Sequence, residues 1–404
     1  MVQAESVSAR AALLEPDGVT AHLVGRLTPA VLSFLLPAIQ ASSAQGRRQA
    51  LLYIDDGVVH EQMAALPVDV HRIHVPDSDS LLLRCDALYK ALLLLSRHQP
   101  LNVLHVHGLL PALAAARLLR NDANCGVEVF LSPHSSRGLG WSVAKHAVLR
   151  QIRMRPESEN VLRVIVNVQR DARLLASIDR LAVQVIDCPV PRVFFEKPRE
   201  EATRPLVVSC TLEHHRAAFD GFQRLAVLLN DDRLGIDFHW LGNTAARGVE
   251  GLRAAGVACF EAPTSSARAT HFGSAWVYVA TCDERGFPIR LAEAMASGLP
   301  CVALDTENHR SMVTPGETGY LYTNVREMLQ RIGELVDSEQ LRRQLGQSAR
   351  REAERRFSEA EFQRRFWHAL RSNSQGAAAD LERDVASSTA SLRHQPSADV
   401  PRCP

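Results

Sequence analysis

The sequence contains very little lysine and no excess of charge of either sign. Its 46 basic residues include only three lysines, Lys90, Lys145 and Lys197, so every cation after position 197 other than histidine is an arginine. The 45 acidic residues leave a formal net charge of +1. A protein that neutralises many phosphates needs a large basic excess, so we expect no nucleic-acid partner.

Disulfide motifs and long apolar runs are also missing. The eight cysteines include no C-x-x-C pair, and several, such as Cys301, lie in apolar stretches, which predicts reduced thiols in the core. No run approaches the roughly 18 apolar residues that span a bilayer, and the acidic N-terminus does not resemble a signal peptide. These absences predict a cytoplasmic location.

What is present is the composition of an ordinary globular chain. Of its 404 residues, 46% are apolar and 23% are charged, and at about 150 residues per domain this length predicts about two domains. Short apolar strands alternate with helix-length segments, which is typical of βαβ units and a parallel sheet. The predicted strands are 19–24, 50–54, 70–75, 103–107, 127–131, 164–168 and 183–186, then 206–210, 237–241, 257–260, 275–280 and 301–304.

A charged stretch punctuated by proline divides the two series of strands. We place a linker at 191–204, between an N-terminal α/β domain at 1–190 and a C-terminal one at 205–357. Phenylalanines at helical spacing after an N-cap at Ser358 predict a further helix at 358–371. Serine, alanine and scattered charge predict a disordered tail at 372–404.

The segment from Val277 to Val302 reads as strand, loop, helix, turn and strand. Pro288 suits the first helical position, because the N–H it lacks would have no partner there, and Gly298 suits the residue that ends the helix. The backbone N–H groups that open this helix behind Gly286 form a seat for an anionic phosphate at the carboxyl edge of a parallel sheet.

Glu293 lies in an almost wholly apolar part of the same helix, where an unpaired carboxylate is costly. Two partners are about equally compatible with the spacing. One is the pair of hydroxyls of a nucleoside ribose, and the other is Arg290, three residues earlier.

Three stretches of this region, Glu284 to Pro288, Leu291 to Pro300 and Gly316 to Leu321, resemble the donor-binding segment of glycosyltransferase family 4. The resemblance is specific over about 275–325 and diffuse over the rest of 20–370. It implies a retaining transferase with the GT-B architecture, in which two Rossmann-like domains face a central cleft and a C-terminal helix returns to the first domain. It also implies a nucleotide-diphosphate sugar as donor substrate, without a metal or other cofactor.

The resemblance carries roles for individual residues. It assigns Glu293 to the ribose of the donor, and it places Gly286, Phe287, Pro288 and Ile289 beside the donor's phosphates, sugar and base.

Two positions depart from the family pattern. The acid that contacts the donor sugar is replaced in register by Arg285, with Glu284 one place earlier. This departure has three interpretations. A one-residue shift of the loop brings Glu284 to the position of the family acid, or Arg285 contacts a carboxylated or differently oriented sugar, or the site is inactive. The family also neutralises the diphosphate with an arginine and a lysine, for which this chain offers Arg216 with His214 or His215, and one reliable cation weakens stabilisation of the leaving group.

In the first domain, His134 follows a predicted strand and matches the family histidine that approaches the transferred sugar, although a loop histidine that caps a helix is an equal alternative. The H-x-H pair His105 and His107 also matches a family strand end. Such a pair serves metal-dependent hydrolases of the amidohydrolase type too, since alternate residues share one face. Those enzymes need one eight-stranded barrel, which the linker argues against. The family's glycine-rich acceptor loop is reduced to Gly25-Arg26-Leu27-Thr28.

Two further patterns have a structural and a functional interpretation. Asp77 and Asp79 have the D-x-D spacing with which another glycosyltransferase fold binds a divalent ion on a sugar diphosphate. They directly precede a leucine-rich helix, however, and acidic residues favour the start of a helix, so the position favours helix capping. The segment 141–155 has apolar residues at helical spacing with basic residues between them. It is either a core-facing helix or a basic interfacial helix that docks on anionic lipid.

Together these features predict a glycosyltransferase at the inner face of the cytoplasmic membrane, acting on a glycan or lipid-linked acceptor in polysaccharide synthesis. The alternative is a catalytically silent GT-B-like subunit that binds or stabilises an active transferase. A pyridoxal-dependent phosphorylase is excluded, because the second domain has no lysine to form a Schiff base.

Overall fold

The computed structural model describes residues 18–57, 61–120, 127–134, 162–176, 181–211, 216–229, 235–245, 248–284 and 286–371. The predicted basic helix at 141–155, the predicted tail at 372–404, and Arg285, His214 and His215 lie outside this part of the chain. Within the described ranges, no helix is both long enough and apolar enough to cross a membrane.

The first sheet has seven parallel strands in the order β3-β2-β1-β4-β5-β6-β7. Its central strands are buried along most of their length, as expected of parallel strands covered by helices on both faces. The strands are β1 (Val19–Arg26), β2 (Arg48–Asp55), β3 (His71–Pro76), β4 (Leu101–His107), β5 (Glu128–Ser132), β6 (Leu162–Val166) and β7 (Leu181–Val185).

The second sheet has six parallel strands in the order β10-β9-β8-β11-β12-β13. Every predicted strand is present. A further strand at the edge of the sheet, with the sequence G-Y-L-Y, was not predicted, because a glycine opens it and its two central residues are only half-buried. The strands are β8 (Leu206–Cys210), β9 (Asp237–Leu241), β10 (Ala258–Phe260), β11 (Val277–Ala280), β12 (Cys301–Leu304) and β13 (Gly319–Tyr322).

Helices connect the strands and cover both sheets. In the first half they are α1 (Pro29–Ser43), α2 (Leu81–His98), α3 (Leu109–Leu119), α4 (Gln169–Ala176) and α5 (Val193–Glu196), with a 3-10 helix at Glu61–Ala65. In the second half they are α6 (Arg216–Leu229), α7 (Val249–Ala254), α8 (Ser265–Ser274), α9 (Ile289–Ala296), α10 (Glu307–Arg310), α11 (Val325–Asp337), α12 (Glu339–Phe357) and α13 (Glu359–Arg371).

Both sheets are open and doubly wound. Strand order reverses between β1 and β4 in the first sheet and between β8 and β11 in the second. Parallel sheets bind ligands in the crevice at the carboxyl ends of the strands beside such a reversal. Two separate sheets confirm the predicted two-domain α/β fold, and the alternative of one closed barrel is wrong.

The helix α13 returns to the first domain, as predicted. The rings of Phe362 and Phe366 lie edge-on to Phe34 of α1, with ring centroids 5.3 and 6.2 Å apart. Val190 N–H also donates to Phe357 O at 2.8 Å, just before α13 begins. The core of the first domain is therefore completed by the last described helix of the chain.

The segment predicted as an irregular linker has structure of its own. The short helix α5 buries Phe194 completely, and Trp276 Nε1 donates to Ala202 O at 2.8 Å. The linker therefore packs against the second domain. The predicted boundaries at 190 and 205 stay predictions.

Candidate active site

Glu293 is buried on α9 and bound by two arginines. Arg268 of α8 donates from Nε to Glu293 Oε2 at 3.0 Å and from Nη2 to Oε1 at 2.9 Å. Arg290 donates from Nη1 to both oxygens, at 2.6 and 2.7 Å. Only 2% of the Glu293 side chain is exposed. Of the two partners that the sequence allowed, Arg290 is the one seen, and the sequence did not indicate Arg268.

The two arginines also set the charge state of this carboxylate. Burial alone raises the pKa of the Glu293 carboxyl, but Arg290 and Arg268 overcome this effect and hold the pKa below its ordinary value. The three side chains together carry a charge of +1. Since both oxygens of Glu293 accept arginine bonds, the hydroxyls of a ribose must replace one of these bonds to reach it.

Backbone carbonyls fix Arg268 in this position. Its Nη1 donates to Ala262 O at 3.2 Å and to Pro263 O at 2.9 Å, and its Nη2 donates to Ser265 Oγ at 3.1 Å. A guanidinium has five donors in a rigid fork, so one arginine joins the end of β10, the start of α8 and the centre of α9. A lysine could not make this set of contacts.

The loop before α9 is held by Asn308, a residue that sequence reasoning missed. Asn308 Nδ2 donates to Glu284 O at 2.7 Å and to Gly286 O at 3.3 Å, and the residue is 2% exposed. Phe287 packs edge-on against Phe357, with ring centroids 5.6 Å apart. An isolated asparagine carries no recognisable motif, so only the packing of α10 against this loop indicates its role.

The helix α9 differs from expectation at its start and agrees at its end. It begins at Ile289, with Pro288 as the N-cap and not as the first helical residue. Ile289 N–H donates to Phe287 O at 2.8 Å, so one amide of the predicted phosphate seat is already used. Gly298 has a φ of 74° and ends the helix as predicted, because a left-handed residue there favours glycine.

A cavity of about 200 Å³ lies between the two domains, beside the linker. Helix α1 lines it from the first domain, and Arg268, Arg290 and Glu293 line it from the second. Ligand sites for drug-sized molecules are typically about 300–1,000 Å³. The cavity is therefore smaller than a whole nucleotide sugar requires.

The predicted diphosphate ligand Arg216 lies apart from this cavity lining. It is the first residue of α6, its side chain is 93% exposed, and its Nε lies 3.4 Å from Asp220 Oδ2. A surface pair at this exposure holds the side chain weakly, so Arg216 is free to reorient.

His134 faces the loop of the second domain from the end of the first sheet. Its φ of 55° is the one left-handed value at a non-glycine position among the described residues. A Cβ built on Gly286 would lie 3.8 Å from His134 O, so the two predicted site residues are neighbours across the cleft. Such backbone strain is often found at functional sites.

Within the described residues, the ring of His134 joins a cluster of buried imidazoles. Its Nε2 lies 2.8 Å from His107 Nδ1, and the two rings stack with centroids 5.1 Å apart. Burial lowers the pKa of His134 to about 4 and also lowers the pKa of His22 to about 4. Burial and neighbouring imidazoles hold the pKa values of His105 and His107 well below the ordinary value. The rings are therefore neutral at physiological pH.

The prediction that the D-x-D residues cap α2 is wrong. The N-cap of α2 is Ser80, and its side chain makes no capping bond. Asp77 instead pairs with two arginines: Arg84 Nε donates to Oδ1 at 2.7 Å and Arg26 Nε donates to Oδ2 at 3.1 Å. Arg26 is the last residue of β1 and belongs to the stretch 25–28 that was predicted as the shortened loop, so Asp77 fixes the end of this strand. The sequence could not show this pairing, because Arg26 is distant along the chain.

Part of the chain matches a recognised sequence family. Residues 263–352 match the family of glycosyl transferases group 1. The matched segment contains Arg268, Arg290 and Glu293. A curated relative, spore coat protein SA of Bacillus subtilis (strain 168), is 35% identical over 68 residues, which cover 16% of this chain and 18% of that protein. The chain therefore matches less than a fifth of the length of this relative.

Solved structures resemble the chain over almost nine-tenths of its length. A sucrose-phosphate synthase from Thermosynechococcus elongatus aligns with a TM-score of 0.70 and 15% identity, covering 89% of this chain and all of that one. Alr3699/HepE of Anabaena, in complex with UDP and glucose, aligns with a TM-score of 0.68 and 13% identity, covering 88% of this chain and all of that one. The fold is that of GT-B glycosyltransferases. The family match and this fold together support a glycosyltransferase.

Proposed function

We propose that this protein is a retaining glycosyltransferase that moves a sugar from a nucleotide-diphosphate donor to a glycan or lipid-linked acceptor. The family match over 263–352 and the GT-B fold support the transfer chemistry. The structural neighbour in complex with UDP and glucose supports a nucleotide-sugar donor. We place the reaction in the cytoplasm, in polysaccharide synthesis, with the segment 141–155 as the contact to anionic lipid at the inner membrane face.

One observation carries the proposal: the charged residues of the matched segment line a cavity between two doubly wound domains. The Arg268–Glu293–Arg290 group carries a net charge of +1. Glu359, the other charged residue of the lining, is neutralised by Arg192, whose Nε donates to Glu359 Oε2 at 3.1 Å. An excess positive charge in a partly desolvated crevice favours an anionic ligand such as a diphosphate. We therefore assign the donor's nucleotide to this cavity and keep Glu293 as the residue beside its ribose.

Donor binding then requires the domains to separate. The cavity of about 200 Å³ is too small for a nucleotide sugar, and ion pairs hold its two sides together. Arg170 Nη1 of α4 lies 3.9 Å from Asp283 Oδ2, and Arg173 of the same helix pairs with Glu307. All four side chains are at least 43% exposed, so these two pairs are weak and add little to the free-energy cost of opening.

The transferred sugar is assigned to the space between His134 and the loop that precedes α9. His134 contributes an imidazole nitrogen from the first domain, and Glu284 or Arg285 contacts the sugar hydroxyls from the second. Gly286 follows these two residues, and because it has no side chain the donor can approach its backbone closely. A Cβ built on Gly286 would lie 3.8 Å from His134 O, and this proximity supports a subsite between the two residues.

The leaving diphosphate needs positive charge as the sugar bond breaks. Arg216 can swing from Asp220 toward the carboxyl edge of the second sheet, since it begins the helix that follows β8. The first turn of α9 beyond Ile289 adds the positive end of a helix dipole. This arrangement meets the developing charge with arginine and backbone N–H groups.

A second candidate function is a silent GT-B-like subunit. The observation that favours it is that both oxygens of Glu293 already accept hydrogen bonds from arginines. A carboxylate held in this way stabilises the fold without a nucleotide. The two candidates differ in whether the protein binds nucleoside diphosphates.

Calorimetric titration with UDP and GDP tests the proposal. We expect the wild-type protein to bind one of them, and the isosteric Glu293→Gln variant to bind it at least about tenfold more weakly, since a hydrogen bond to a charged group contributes about 1.5–3 kcal/mol. Glu327→Gln is the matched control, because Glu327 is an exposed glutamate at the start of α11 and bonds only within its own turn.

The outcomes separate the two functions. If the folded wild-type protein binds neither diphosphate, the transferase assignment fails and the silent subunit is favoured. If Glu293→Gln binds as tightly as wild type, the transferase assignment stands and the ribose role of Glu293 fails. Circular dichroism of each variant establishes that it is folded, and hydrolysis of nucleotide sugars by wild type then identifies the donor.

A further inference from the structure

Three histidine rings meet inside the first domain at the reversal of strand order. His22 lies on β1, and His105 and His107 lie on β4, with exposures of 0%, 1% and 3%. His105 and His107 are alternate residues of one strand, so they share a face of the sheet. His22 is the register partner of His105 on the neighbouring strand. The sequence indicated the H-x-H pair but not the third ring, which is more than eighty residues away.

Each ring has one nitrogen with a partner outside the trio. In sites where histidine binds a metal, the other ring nitrogen usually bonds to an oxygen or another polar group in this way. The outer contacts are His22 Nε2 to Gln49 Oε1 at 3.1 Å, His105 Nε2 to Ser132 Oγ at 2.8 Å, and His107 Nδ1 to His134 Nε2 at 2.8 Å.

Two of the three inner nitrogens have the spacing of metal ligands, and the third lies near them. His22 Nδ1 and His107 Nε2 are 3.4 Å apart, which is longer than an ordinary N–H hydrogen bond of about 2.7–3.2 Å. Two nitrogens about 2.0–2.1 Å from a tetrahedral zinc ion are themselves about 3.4 Å apart. Among the described residues, the buried His105 Nδ1 has no hydrogen-bond partner. One nitrogen of each ring lies within 4.8 Å of one nitrogen of the other two.

We propose that His22, His105 and His107 bind one divalent transition-metal ion, with zinc as the expected occupant. The ligand atoms are His22 Nδ1, His107 Nε2 and His105 Nδ1. Imidazole nitrogen suits zinc, and three histidines leave a fourth position for a ligand that is not a side chain. The residues of the matched segment at 263–352 contribute no ligand, so this site does not depend on the proposed transferase activity.

The metal would also determine which nitrogen of His134 carries the proton. With the metal on His107 Nε2, the proton of that ring stays on Nδ1 and is donated to His134 Nε2. His134 then carries its own proton on Nδ1 and offers a hydrogen-bond donor. Without the metal, a chain of hydrogen bonds runs the other way: His134 donates to His107, His107 to His22, and His22 to Gln49. His134 Nδ1 is then an acceptor.

Metal analysis of the untagged full-length protein tests the proposal. Protein expressed with added zinc and dialysed should retain about one zinc per chain by elemental mass spectrometry, and should lose it to a chelator. After removal of the zinc, titration with Co²⁺ should give the visible absorption of a tetrahedral Co²⁺ site, saturating at about one equivalent. A folded wild-type protein that holds no zinc and gives no Co²⁺ absorption overturns the proposal in favour of the hydrogen-bonded chain.

Two pairs of variants locate the ion. His105→Ala removes a ligand and should abolish retention of zinc, whereas His74→Ala, an exposed histidine of the same domain, should retain it. Because a ligand variant may not fold, Ser132→Ala keeps all three ligands and removes only the outer partner of His105. Its zinc affinity should fall by about 10–100-fold, while Ser209→Ala, which changes a buried serine on strand β8 of the second sheet, should match wild type. Equal zinc content and affinity in all variants would place the metal elsewhere and overturn the assignment.

Discussion

At the scale of single residues, buried arginine replaces lysine as the cation that organises the second domain. Arg342 is 3% exposed, yet it donates to Leu335 O at 2.7 Å and to Glu201 Oε2 at 2.9 Å, and it stacks over Trp276 at 3.7 Å. Arg268 is bound in the same way, by two carbonyls and a carboxylate. Burial of a cation costs least when its donors have partners, and the guanidinium fork allows one residue to join several segments.

His309 gives a prediction about pH at this scale. It is fully buried, and its Nδ1–H donates to Leu304 O at 2.7 Å. Burial lowers the pKa of His309 in the native state. In the unfolded chain the same imidazole is protonated with an ordinary pKa of about 6.5, so below this pH the unfolded state binds more protons than the native state. The contribution of neutral His309 to the free energy of unfolding is therefore complete above about pH 6.5. It is lost as the pH falls from about 6.5 toward the lowered pKa of the native state.

His309→Gln removes this titration. Between about pH 6.5 and pH 5, the free energy of unfolding of wild type should fall more steeply than that of His309→Gln, by up to about 1.4 kcal/mol per pH unit. Urea denaturation at several pH values measures both slopes. His98→Gln, an exposed histidine at the end of α2, is the control and should keep the wild-type slope. Identical slopes for all three proteins would contradict the prediction.

The sequence predicted part of the Glu293 site and could not predict the rest. The cost of an unpaired carboxylate in an apolar helix predicts that Glu293 has a partner, and Arg290 is close along the chain. Arg268 is 25 residues away, and its contact depends on how α8 packs against α9. His134 and Gly286 belong to different domains, so only the arrangement of the domains brings them together.

At the scale of elements, the close approach of two glycines fixes α9 against α12. Gly298 ends α9 in the left-handed region, and Gly346 faces it from the middle of α12. A Cβ on Gly346 would lie 2.1 Å from Gly298 O and 3.0 Å from Arg199 Nη1. The absence of a side chain at both positions therefore holds the site helix against its neighbour.

A matched pair of glycine substitutions tests this contact. Gly346→Ala should destabilise the protein by about 1–3 kcal/mol, because the backbone of Gly298 has to move. Gly333→Ala, in the neighbouring helix α11, meets no described atom within 4 Å and should be neutral or stabilising by up to about 1 kcal/mol. Thermal unfolding of the two variants measures the difference. Equal melting temperatures would show that α9 and α12 are not in close contact.

Elements were predictable where one physical rule determines them. The buried parallel strands are continuous apolar runs, and α1 begins after the N-cap Thr28 with a proline in its first turn, as its sequence indicates. The strand Gly319–Tyr322 follows a stretch rich in glycine and polar residues, and its two central residues are only half-buried. Its sequence therefore lacks the continuous apolar run that marks the buried strands. The capping prediction for Asp77 failed because a more distant arginine competes for the same carboxylate.

At the scale of the whole molecule, α13 makes the two domains depend on each other. Its phenylalanines cover Phe34, and the ring of Phe366 also stacks near His105, with centroids 5.9 Å apart. Arg356 adds an ion pair to the largely buried Asp187, with Nη2 3.0 Å from Oδ2. Helix α13 thus covers the face of the first sheet that carries the histidine cluster.

Phe366→Ala tests this dependence. Loss of a fully buried phenylalanine should destabilise the protein by about 3–5 kcal/mol. Hydrogen exchange should accelerate in α1 and β4, more than in the strands of the second sheet, because the cavity opens in the first domain. Arg364→Ala, on the same helix but 68% exposed, should stay within about 0.5 kcal/mol of wild type. Faster exchange confined to the second domain would contradict the role given to α13.

The return of α13 has a consequence for how the protein is made. Arg163 Nη1 donates to Leu370 O, a contact between residues 207 positions apart, so the first domain stays unfinished while the ribosome synthesises the second. During that interval Phe34 and the imidazole face of the sheet remain uncovered, and exposed apolar surface invites chaperones or misassembly. Synthesis of α13 is thus the event that closes the interior of the first domain.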